Sequence, residues 1–222
     1  MARSPRRARS SRHPLLAIAV AVAILGALGL IALSTSTASA PSAGADESVA
    51  QAARTIGRAD AAVTIEEWAD FQCPACGMFA RATEPRLVST YIADGRVQLV
   101  FHHMAFLGSE SGWAAEAAEC AGEQGRFWDY HDQLFAAQRG ENKGAFSRDN
   151  LKRIGADLGL GPAFASCVDS KRYAQGVRDE TQNGKDRGVV ATPTLFVNGR
   201  KIEGALTYDQ VRAIIDPLLA GR

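Results

Sequence analysis

Residues 63–76 read VTIEEWADFQCPAC. The first nine are rich in β-branched and aromatic side chains, which favours a buried strand. Pro74 suits the first turn of a helix, where its missing N–H costs nothing. The apolar residues that follow recur at helical spacing, at Met78, Phe79, Ala82, Leu87 and Tyr91. This stretch therefore predicts a strand that runs directly into a helix at Cys73.

The two cysteines lie where that helix would begin. If Cys73 is the N-cap residue, we expect its sulfur to accept the backbone N–H of Cys76. The positive end of the helix dipole favours a thiolate there and lowers the pKa of Cys73. Cys76, three residues on, lies on the same side and can close a small ring. The pattern predicts thiol–disulfide exchange, with Cys73 as the nucleophile and Cys76 as the resolving thiol.

A metal site and a purely structural disulfide are the alternatives for this CxxC pair. A structural zinc needs four ligands, commonly a second cysteine pair, but Cys120 and Cys167 stand far apart in the chain. A copper site of two sulfurs and one histidine also fits, with His102 or His103 as the third ligand. A copper metallochaperone is therefore the rival to a redox enzyme, and an adaptor that keeps the fold without turnover is a third hypothesis.

The rest of the chain predicts a mixed α/β domain. A second buried strand is expected at Val97–Phe101, and Pro85 should bend the helix before it. Residues from about 111 to 186 show helical periodicity. Towards the end, the sequence predicts a hairpin with a type I′ turn at Asn198-Gly199 and a helix opened by the capping box Thr207-x-x-Gln210. This order indicates one α/β domain with a helical insertion.

The N-terminal residues indicate the compartment. Residues 1–14 are basic, and the apolar run 15–33 would span about 28 Å as a helix, roughly a bilayer. All five arginines of residues 1–45 precede that run, so the positive-inside rule places the C-terminal domain outside the cytoplasm. The length of the run favours a retained single-pass anchor, whereas Ala38-Ser39-Ala40 fits signal cleavage after Ala40, which would give a secreted or periplasmic protein. Either outcome exposes the domain to an oxidising compartment.

Composition and charge indicate the class of protein and exclude one class of partner. The chain has 222 residues, 46% hydrophobic and 22% charged, which is typical of a globular domain and predicts residues 57–222 as one unit. The net charge is +1, and the five arginines of residues 1–45 have no acidic counterpart, so residues 46–222 carry −4. That balance argues against a nucleic-acid partner. Residues 34–56 are expected to form a flexible linker, and Asp179-Glu180 a solvated helix face.

Three motifs are informative together: DFQCPAC at 70–76, QGRFWDYH at 124–131 and ATPTLFVNG at 191–199. They resemble the DsbA-like branch of the thioredoxin superfamily, in particular its extracytoplasmic oxidoreductases with a thioredoxin_4-type domain. The resemblance covers about residues 57–219, and the distance from the CxxC pair to the Thr-Pro pair makes it specific. It implies a thioredoxin fold with a helical insertion at about 108–188.

The resemblance assigns a role to the Thr192-Pro193 pair. Pro193 matches the cis-proline that lies against the active-site cysteines in this family. It would present the backbone of Thr192 to an incoming substrate strand, and the side chain of Thr192 would tune reactivity. A trans proline that begins an edge strand is the alternative.

The resemblance also covers one acid and a second cysteine pair. Glu67 occupies the place of the buried acid of the family, which can help to deprotonate Cys76. A surface glutamate is the alternative, because Glu66 beside it leaves the register of the strand open. Cys120 and Cys167 resemble a pair that forms a structural disulfide in some members, and two unpaired buried cysteines are the alternative.

The activity that the resemblance implies is protein-disulfide oxidoreduction, most simply the oxidation of cysteine pairs in reduced secreted or membrane proteins. No cofactor is required, because the disulfide of the protein is itself the oxidant. Reoxidation would fall to a quinone-linked membrane oxidase of the DsbB or vitamin K epoxide reductase-like kind. Isomerase activity is less expected, because the related isomerases dimerise through an additional N-terminal domain for which residues 34–56 leave no room, and a monomer is expected. A reductase or isomerase of the same fold stays open, because the direction depends on the reduction potential.

Overall fold

The computed structural model describes residues 50–221. A five-stranded sheet with the order β1–β3–β2–β4–β5 forms its centre. In chain order the strands are β1 (Thr55–Ile56), β2 (Val63–Ala69), β3 (Val97–His103), β4 (Thr194–Val197) and β5 (Arg200–Glu203). Strands β2 and β3 are parallel, and the other neighbouring pairs are antiparallel.

The helices fall into three groups along the chain. In chain order the helices are α1 (Pro74–Ala82), α2 (Glu84–Leu87), α3 (Ser109–Gly122), α4 (Phe127–Ala136), α5 (Arg148–Asp157), α6 (Pro162–Ser170), α7 (Ala174–Asp186) and α8 (Tyr208–Ala220). Helices α1 and α2, followed by a π-helical turn at Val88–Ile92, connect β2 to β3. Helices α3 to α7 form the block between β3 and β4, and α8 ends the domain. The predicted α/β domain with a helical insertion is therefore confirmed.

Local sequence signals set several of these boundaries. The first helix is interrupted at Thr83, two residues before Pro85, which lacks an N–H and whose ring clashes with an earlier carbonyl group. Thr207 caps α8, since its hydroxyl accepts the N–H of Gln210 and the Gln210 side chain accepts the N–H of Thr207 in return. Asn198 and Gly199 have φ angles of 46° and 81°, the left-handed values that a type I′ turn requires.

Two groups of buried side chains hold these layers together. The first joins the centre of the sheet to α1, α2 and α8, and it includes Ile65, Leu99 and Ile215. The second joins the ends of β2 and β3 to the inserted helices through aromatic side chains such as Phe101 and Phe127. Both residues of the CxxC pair belong to the second group. The strand–helix junction therefore lies between the sheet and the insertion.

The domain begins earlier in the chain than the composition predicted. Residues 50–53 are helical, and β1 pairs with Leu99 and Val100 of β3 as an edge strand. The side chain of Arg54, between these two elements, is buried. The prediction of a flexible linker over residues 34–56 is therefore wrong for residues 50–56. A two-residue strand is too short to leave a periodic pattern in the sequence.

The basic segment 1–14, the apolar run 15–33 and the cleavage position after Ala40 lie outside the part of the chain that the structure describes. Within residues 50–221, none of the helices has both the length and the apolar character needed to cross a membrane.

Candidate active site

The loop after β2 places Cys73 at the start of α1. Cys73 is the N-cap residue, with extended backbone angles (φ −70°, ψ 120°), and Pro74 takes the first helical position. Its side chain makes no capping hydrogen bond of ordinary geometry, whereas the sequence predicted one from the N–H of Cys76. The sulfur instead lies 3.3 Å from the carbonyl oxygen of Thr192, to which Cys73 donates when its thiol is protonated. The sulfur therefore faces the turn before β4.

The surroundings of Cys73 favour its thiolate and lower its pKa from 9.0 to about 6. The largest contribution is a hydrogen bond from the thiol of Cys76, and burial acts in the opposite direction. A hydrogen bond from the Thr192 side chain and the backbone N–H groups of Cys76 and Ala75 lower the pKa further. Those two N–H groups belong to the first turn of α1, where the helix dipole favours negative charge. Cys73 is therefore mostly ionised at neutral pH, in the form that attacks a disulfide.

Cys76 has the opposite environment, although it lies only three residues away. It is fully buried, whereas Cys73 keeps 8% of its surface exposed. Burial raises the pKa of the Cys76 thiol well above 9.0, and its interactions with Cys73 and the charge of Glu67 raise it further. Both thiols are free in this structure. One helical turn therefore holds a thiolate with a small exposed surface and a fully buried, protonated thiol.

Glu67 lies beneath this pair, in the interior of the domain. It is fully buried, whereas Glu66 points to the other face of β2 with 23% of its side chain exposed. Neither carboxyl oxygen of Glu67 has a hydrogen-bond partner within residues 50–221. Burial raises the pKa of Glu67 to about 8, so the carboxyl group is protonated at neutral pH. The surface position that the sequence left open for Glu67 is not observed.

The turn before β4 brings Thr192 and Pro193 to the cysteines. The peptide bond between them is cis. The carbonyl oxygen of Thr192 lies 3.3 Å from the sulfur of Cys73. Two hydrogen bonds fix this turn. The Pro193 carbonyl oxygen accepts the N–H of Gly204 at 2.8 Å, and the Thr194 hydroxyl donates to the carbonyl oxygen of Ala191 at 2.7 Å. Two segments that lie about 120 residues apart thus meet at one sulfur.

The second cysteine pair lies in the helical insertion. Cys120 of α3 and Cys167 of α6 form a disulfide with an S–S distance of 1.98 Å. Both residues are buried, and they pack in the same apolar group as Phe127 and Phe164. The bridge therefore joins two inserted helices.

Asp70 organises the loop that presents Cys73, although the sequence assigned no role to it. One carboxylate oxygen accepts the N–H of Gln72 at 2.8 Å and the hydroxyl of Ser111 at 2.7 Å. The other oxygen accepts the N–H groups of Phe106 and Leu107, both at 3.0 Å. Asp70 thus ties the loop after β2 to the loop after β3. An Asp directly after a strand that accepts a backbone N–H two residues on was the available sequence signal.

Gln138, which follows α4, supports the same loop from the insertion. Its side-chain amide donates to the carbonyl oxygens of Phe71 at 2.8 Å and Cys73 at 2.9 Å. The approach depends on Gly77, because a Cβ there would lie 2.2 Å from the Gln138 side-chain oxygen. No local pattern marks Gln138, since its partners are more than 60 residues away.

The two histidines offered as metal ligands have other partners. Nδ1 of His102 lies 2.9 Å from Glu180, and Nε2 of His103 lies 2.8 Å from Glu119. Across residues 50–221, the one close set of three ligand-type side chains is His103, Glu119 and Glu180. Neither cysteine belongs to it, so the alternative copper site of two sulfurs and one histidine is not assembled in the described domain.

The family model Thioredoxin_4, described as thioredoxin, matches residues 50–217. Disulfide bond formation protein D of Bacillus subtilis (strain 168) is 28% identical over 171 residues, which cover 75% of this chain and 77% of that protein. The crystal structure of oxidised BdbD from Bacillus subtilis superposes with a TM-score of 0.70 at 27% identity, over 76% of this chain and 93% of that one.

Part of a much longer protein is also similar. The Na(+)/H(+) antiporter NhaA 1 of Salinispora arenicola (strain CNS-205) is 32% identical over 167 residues, or 74% of this chain. The match covers 24% of the antiporter, so this chain spans about a quarter of that relative. The similarity therefore concerns one domain-sized part of the longer protein.

Proposed function

This chain belongs to the Thioredoxin_4 family, and from that premise we propose that it is a protein-disulfide oxidoreductase that oxidises cysteine pairs outside the cytoplasm. The observation that carries the proposal is the position of the CxxC pair at the start of α1, with Cys73 8% exposed and Cys76 fully buried, against the cis Thr192-Pro193 turn. The lowered pKa of Cys73 and the raised pKa of Cys76 agree with it. Relatives named disulfide bond formation protein D and the solved BdbD structure support this class of activity.

In the proposed reaction the protein starts with a Cys73–Cys76 disulfide. A substrate thiolate attacks the sulfur of Cys73, because Cys73 keeps 8% of its surface exposed whereas Cys76 keeps none. The sulfur of Cys76 leaves with the bonding electrons and takes up a proton, since its pKa is high. A second substrate thiolate then attacks the substrate sulfur of the mixed disulfide, and Cys73 leaves as a thiolate. The low pKa of Cys73 makes it a good leaving group, which favours oxidation of the substrate.

The Thr192-Pro193 turn is the proposed docking edge for the substrate. Its backbone lies at the reacting sulfur, where an extended peptide can add strand-like hydrogen bonds. Large apolar side chains are exposed close by in the chain, at Val190 (76%) and Met78 (58%). We propose that these exposed apolar side chains contact the apolar side chains of an unfolded substrate chain.

The remaining assignments follow from the same premise. The substrates are reduced secreted or membrane proteins, and the reoxidising partner is a quinone-linked membrane oxidase of the DsbB or vitamin K epoxide reductase-like kind. The protein acts as a monomer, and the apolar run 15–33 holds it at the cell membrane. The names of the relatives refer to disulfide bond formation, which supports proteins with reduced cysteine pairs as substrates.

The reduction potential of the purified protein, together with refolding of a reduced protein, tests the proposal. We expect a potential above about −200 mV and faster oxidative refolding of reduced ribonuclease A. Cys73→Ser should abolish the acceleration, whereas the paired change Cys120→Ser and Cys167→Ser should retain it. A potential near about −270 mV would contradict the oxidising direction. Equal refolding with and without Cys73 would contradict the proposed site.

A further inference from the structure

A second group of buried ionisable side chains lies near Glu67 and plays no part in the proposed reaction. Glu84, at the start of α2, and His131, in the middle of α4, have exposed fractions of 5% and 0%. Oε2 of Glu84 and Nε2 of His131 lack a hydrogen-bond partner within the described domain, as do both oxygens of Glu67. Buried polar atoms are nearly always hydrogen-bonded, so three unpaired neighbours call for a functional explanation.

These three residues form a series that leads away from Cys76. The charge of Glu67 acts on both Cys76 and Glu84. Glu67 pairs in the sheet with Phe101, whose ring centre lies 5.1 Å from that of His131. Oε2 of Glu84 is 3.8 Å from Nε2 of His131. That distance is about 1 Å longer than a hydrogen bond, so a small side-chain movement joins the two groups.

The series ends at the surface. Nδ1 of His131 lies 2.9 Å from Oδ1 of Asp132, whose side chain is 70% exposed. The His131 ring is otherwise enclosed by aromatic rings, with Phe135 at 4.8 Å and Phe71 at 5.8 Å between centres. An imidazole can accept a proton on one ring nitrogen and release one from the other. His131 therefore separates two buried carboxyl groups from solvent and has one nitrogen towards each side.

We propose that Glu84, His131 and Asp132 are positioning residues that pass protons between solvent and Glu67 whenever Cys76 gains or loses its proton. This inference deepens the proposed function and rests on it. The groups that face the series are Cys76 of α1, Glu67 of β2, Glu84 of α2, and His131 and Asp132 of α4.

Reoxidation of the reduced protein by a small disulfide shows why a path for protons is needed. The Cys73 thiolate attacks one sulfur of the disulfide, and a thiolate leaves. The Cys76 thiol must then lose its proton to attack Cys73, form the Cys73–Cys76 bond and release the second thiolate. Burial raises the pKa of Glu67 and of Glu84 to about 8, so Glu67 already holds a proton at neutral pH. It can accept the Cys76 proton only after its own has left through Glu84 and His131 to solvent.

Rapid-quench kinetics of the reduced protein with oxidised glutathione separates the two steps. Alkylation and mass spectrometry give the rate at which the mixed disulfide forms at Cys73 and the rate at which Cys76 resolves it. For His131→Gln we expect unchanged formation and about tenfold slower resolution at pH 7, because a general acid–base step is lost. The slowing should diminish above about pH 8, where Glu67 ionises without the series.

The matched control is His103→Gln. His103 is also buried and packs on Phe71 and Phe101, but its Nε2 is bonded to Glu119, away from the series. It should resolve the mixed disulfide at the wild-type rate. Asp132→Asn changes only an exposed side chain, so the variant should fold and tests the solvent end of the series. It should slow resolution of the mixed disulfide without slowing its formation.

Two results would overturn the inference: wild-type resolution in both His131→Gln and Asp132→Asn, or an equal loss of both steps in the two variants. If the wild-type protein forms no mixed disulfide at Cys73, the proposed function itself fails. The two failures are therefore distinguishable.

Discussion

Single residues set the difference in pKa between the two thiols of the CxxC pair. Cys73 and Cys76 share a helical turn, yet the hydrogen bond between them lowers the pKa of Cys73 and raises that of Cys76. Thr192 adds a hydrogen bond to Cys73 alone, and burial of Cys76 is nearly complete. The proposed division of labour between nucleophile and resolving thiol thus follows from environment, because the two side chains are chemically identical.

Alkylation of the reduced protein with iodoacetamide should report the pKa of Cys73. The rate should rise with pH through a midpoint near 6, because the thiolate is the reactive form and Cys76 is shielded. Cys76→Ala should raise the midpoint most, since it removes the largest stabilising hydrogen bond, and Thr192→Val should raise it less. Thr194→Val is the control, because that hydroxyl donates to Ala191 instead. A wild-type midpoint near 9 would contradict the assignment.

Among the elements, the inserted helices support the site without supplying a reacting atom. Gln138, just after α4, donates to two carbonyl groups of the loop that carries Cys73, and Ser111 of α3 donates to Asp70 in the same loop. The disulfide between α3 and α6 fixes two of these helices to each other. The insertion is therefore a scaffold for the strand–helix junction.

Removal of the disulfide in the insertion should cost stability and spare the exchange chemistry. We expect Cys120→Ala with Cys167→Ala to lower the free energy of unfolding by about 3–4 kcal/mol, the loop-entropy value for a separation of 47 residues. Urea denaturation of the wild type and of this double variant measures the difference in free energy. The difference should vanish when a thiol reductant is present in both samples. Equal stability in the absence of reductant would contradict the expected role of the bridge.

For the whole molecule, a buried ionic cluster connects the N-terminal end of the domain to the sheet and the insertion. Arg54 pairs with Glu119 of α3 at 3.1 Å and with Glu180 of α7, which also accepts a hydrogen bond from His102 of β3. Burial alone would raise the pKa of Glu180, but His102 and Arg54 lower it to about 2. Glu180 is thus an internal ion-pair partner, and the prediction of a solvated face is wrong for it.

Loss of the Arg54 cation should destabilise the domain in a pH-dependent way. We expect Arg54→Met to lower the free energy of unfolding by about 3–5 kcal/mol at pH 7, because buried carboxylates lose their partner. The pKa of Glu180 is about 2 when folded and 4.5 ordinarily, so its contribution is complete above pH 4.5 and is lost as pH falls towards 2. The deficit should therefore shrink over that range in urea denaturation.

The matched control is Arg58→Met, which removes an exposed pair with Asp60, with side chains 68% and 71% exposed. Exposed pairs contribute little, so this variant should stay within about 1 kcal/mol of wild type. Equal free energies of unfolding for Arg54→Met and Arg58→Met at pH 7 would contradict a stabilising role for the buried ionic cluster.

The sequence by itself determined the features whose causes lie between neighbours in the chain. These include the strand that runs into a helix at Cys73, the interruption before Pro85, the turn at Asn198-Gly199 and the cap at Thr207. Each depends on a backbone angle or a hydrogen bond within a few residues, so a short stretch contains the whole cause.

Only the tertiary structure decided the features that depend on burial and on distant charge. It placed Glu67 rather than Glu66 inside, brought Gln138 to the loop, and paired Glu180 with Arg54. A one-residue change of register exchanges the two faces of a strand, and the sequence of adjacent glutamates cannot fix it. The free energy of a buried charge depends on which groups surround it in space, and those groups come from segments that only folding brings together.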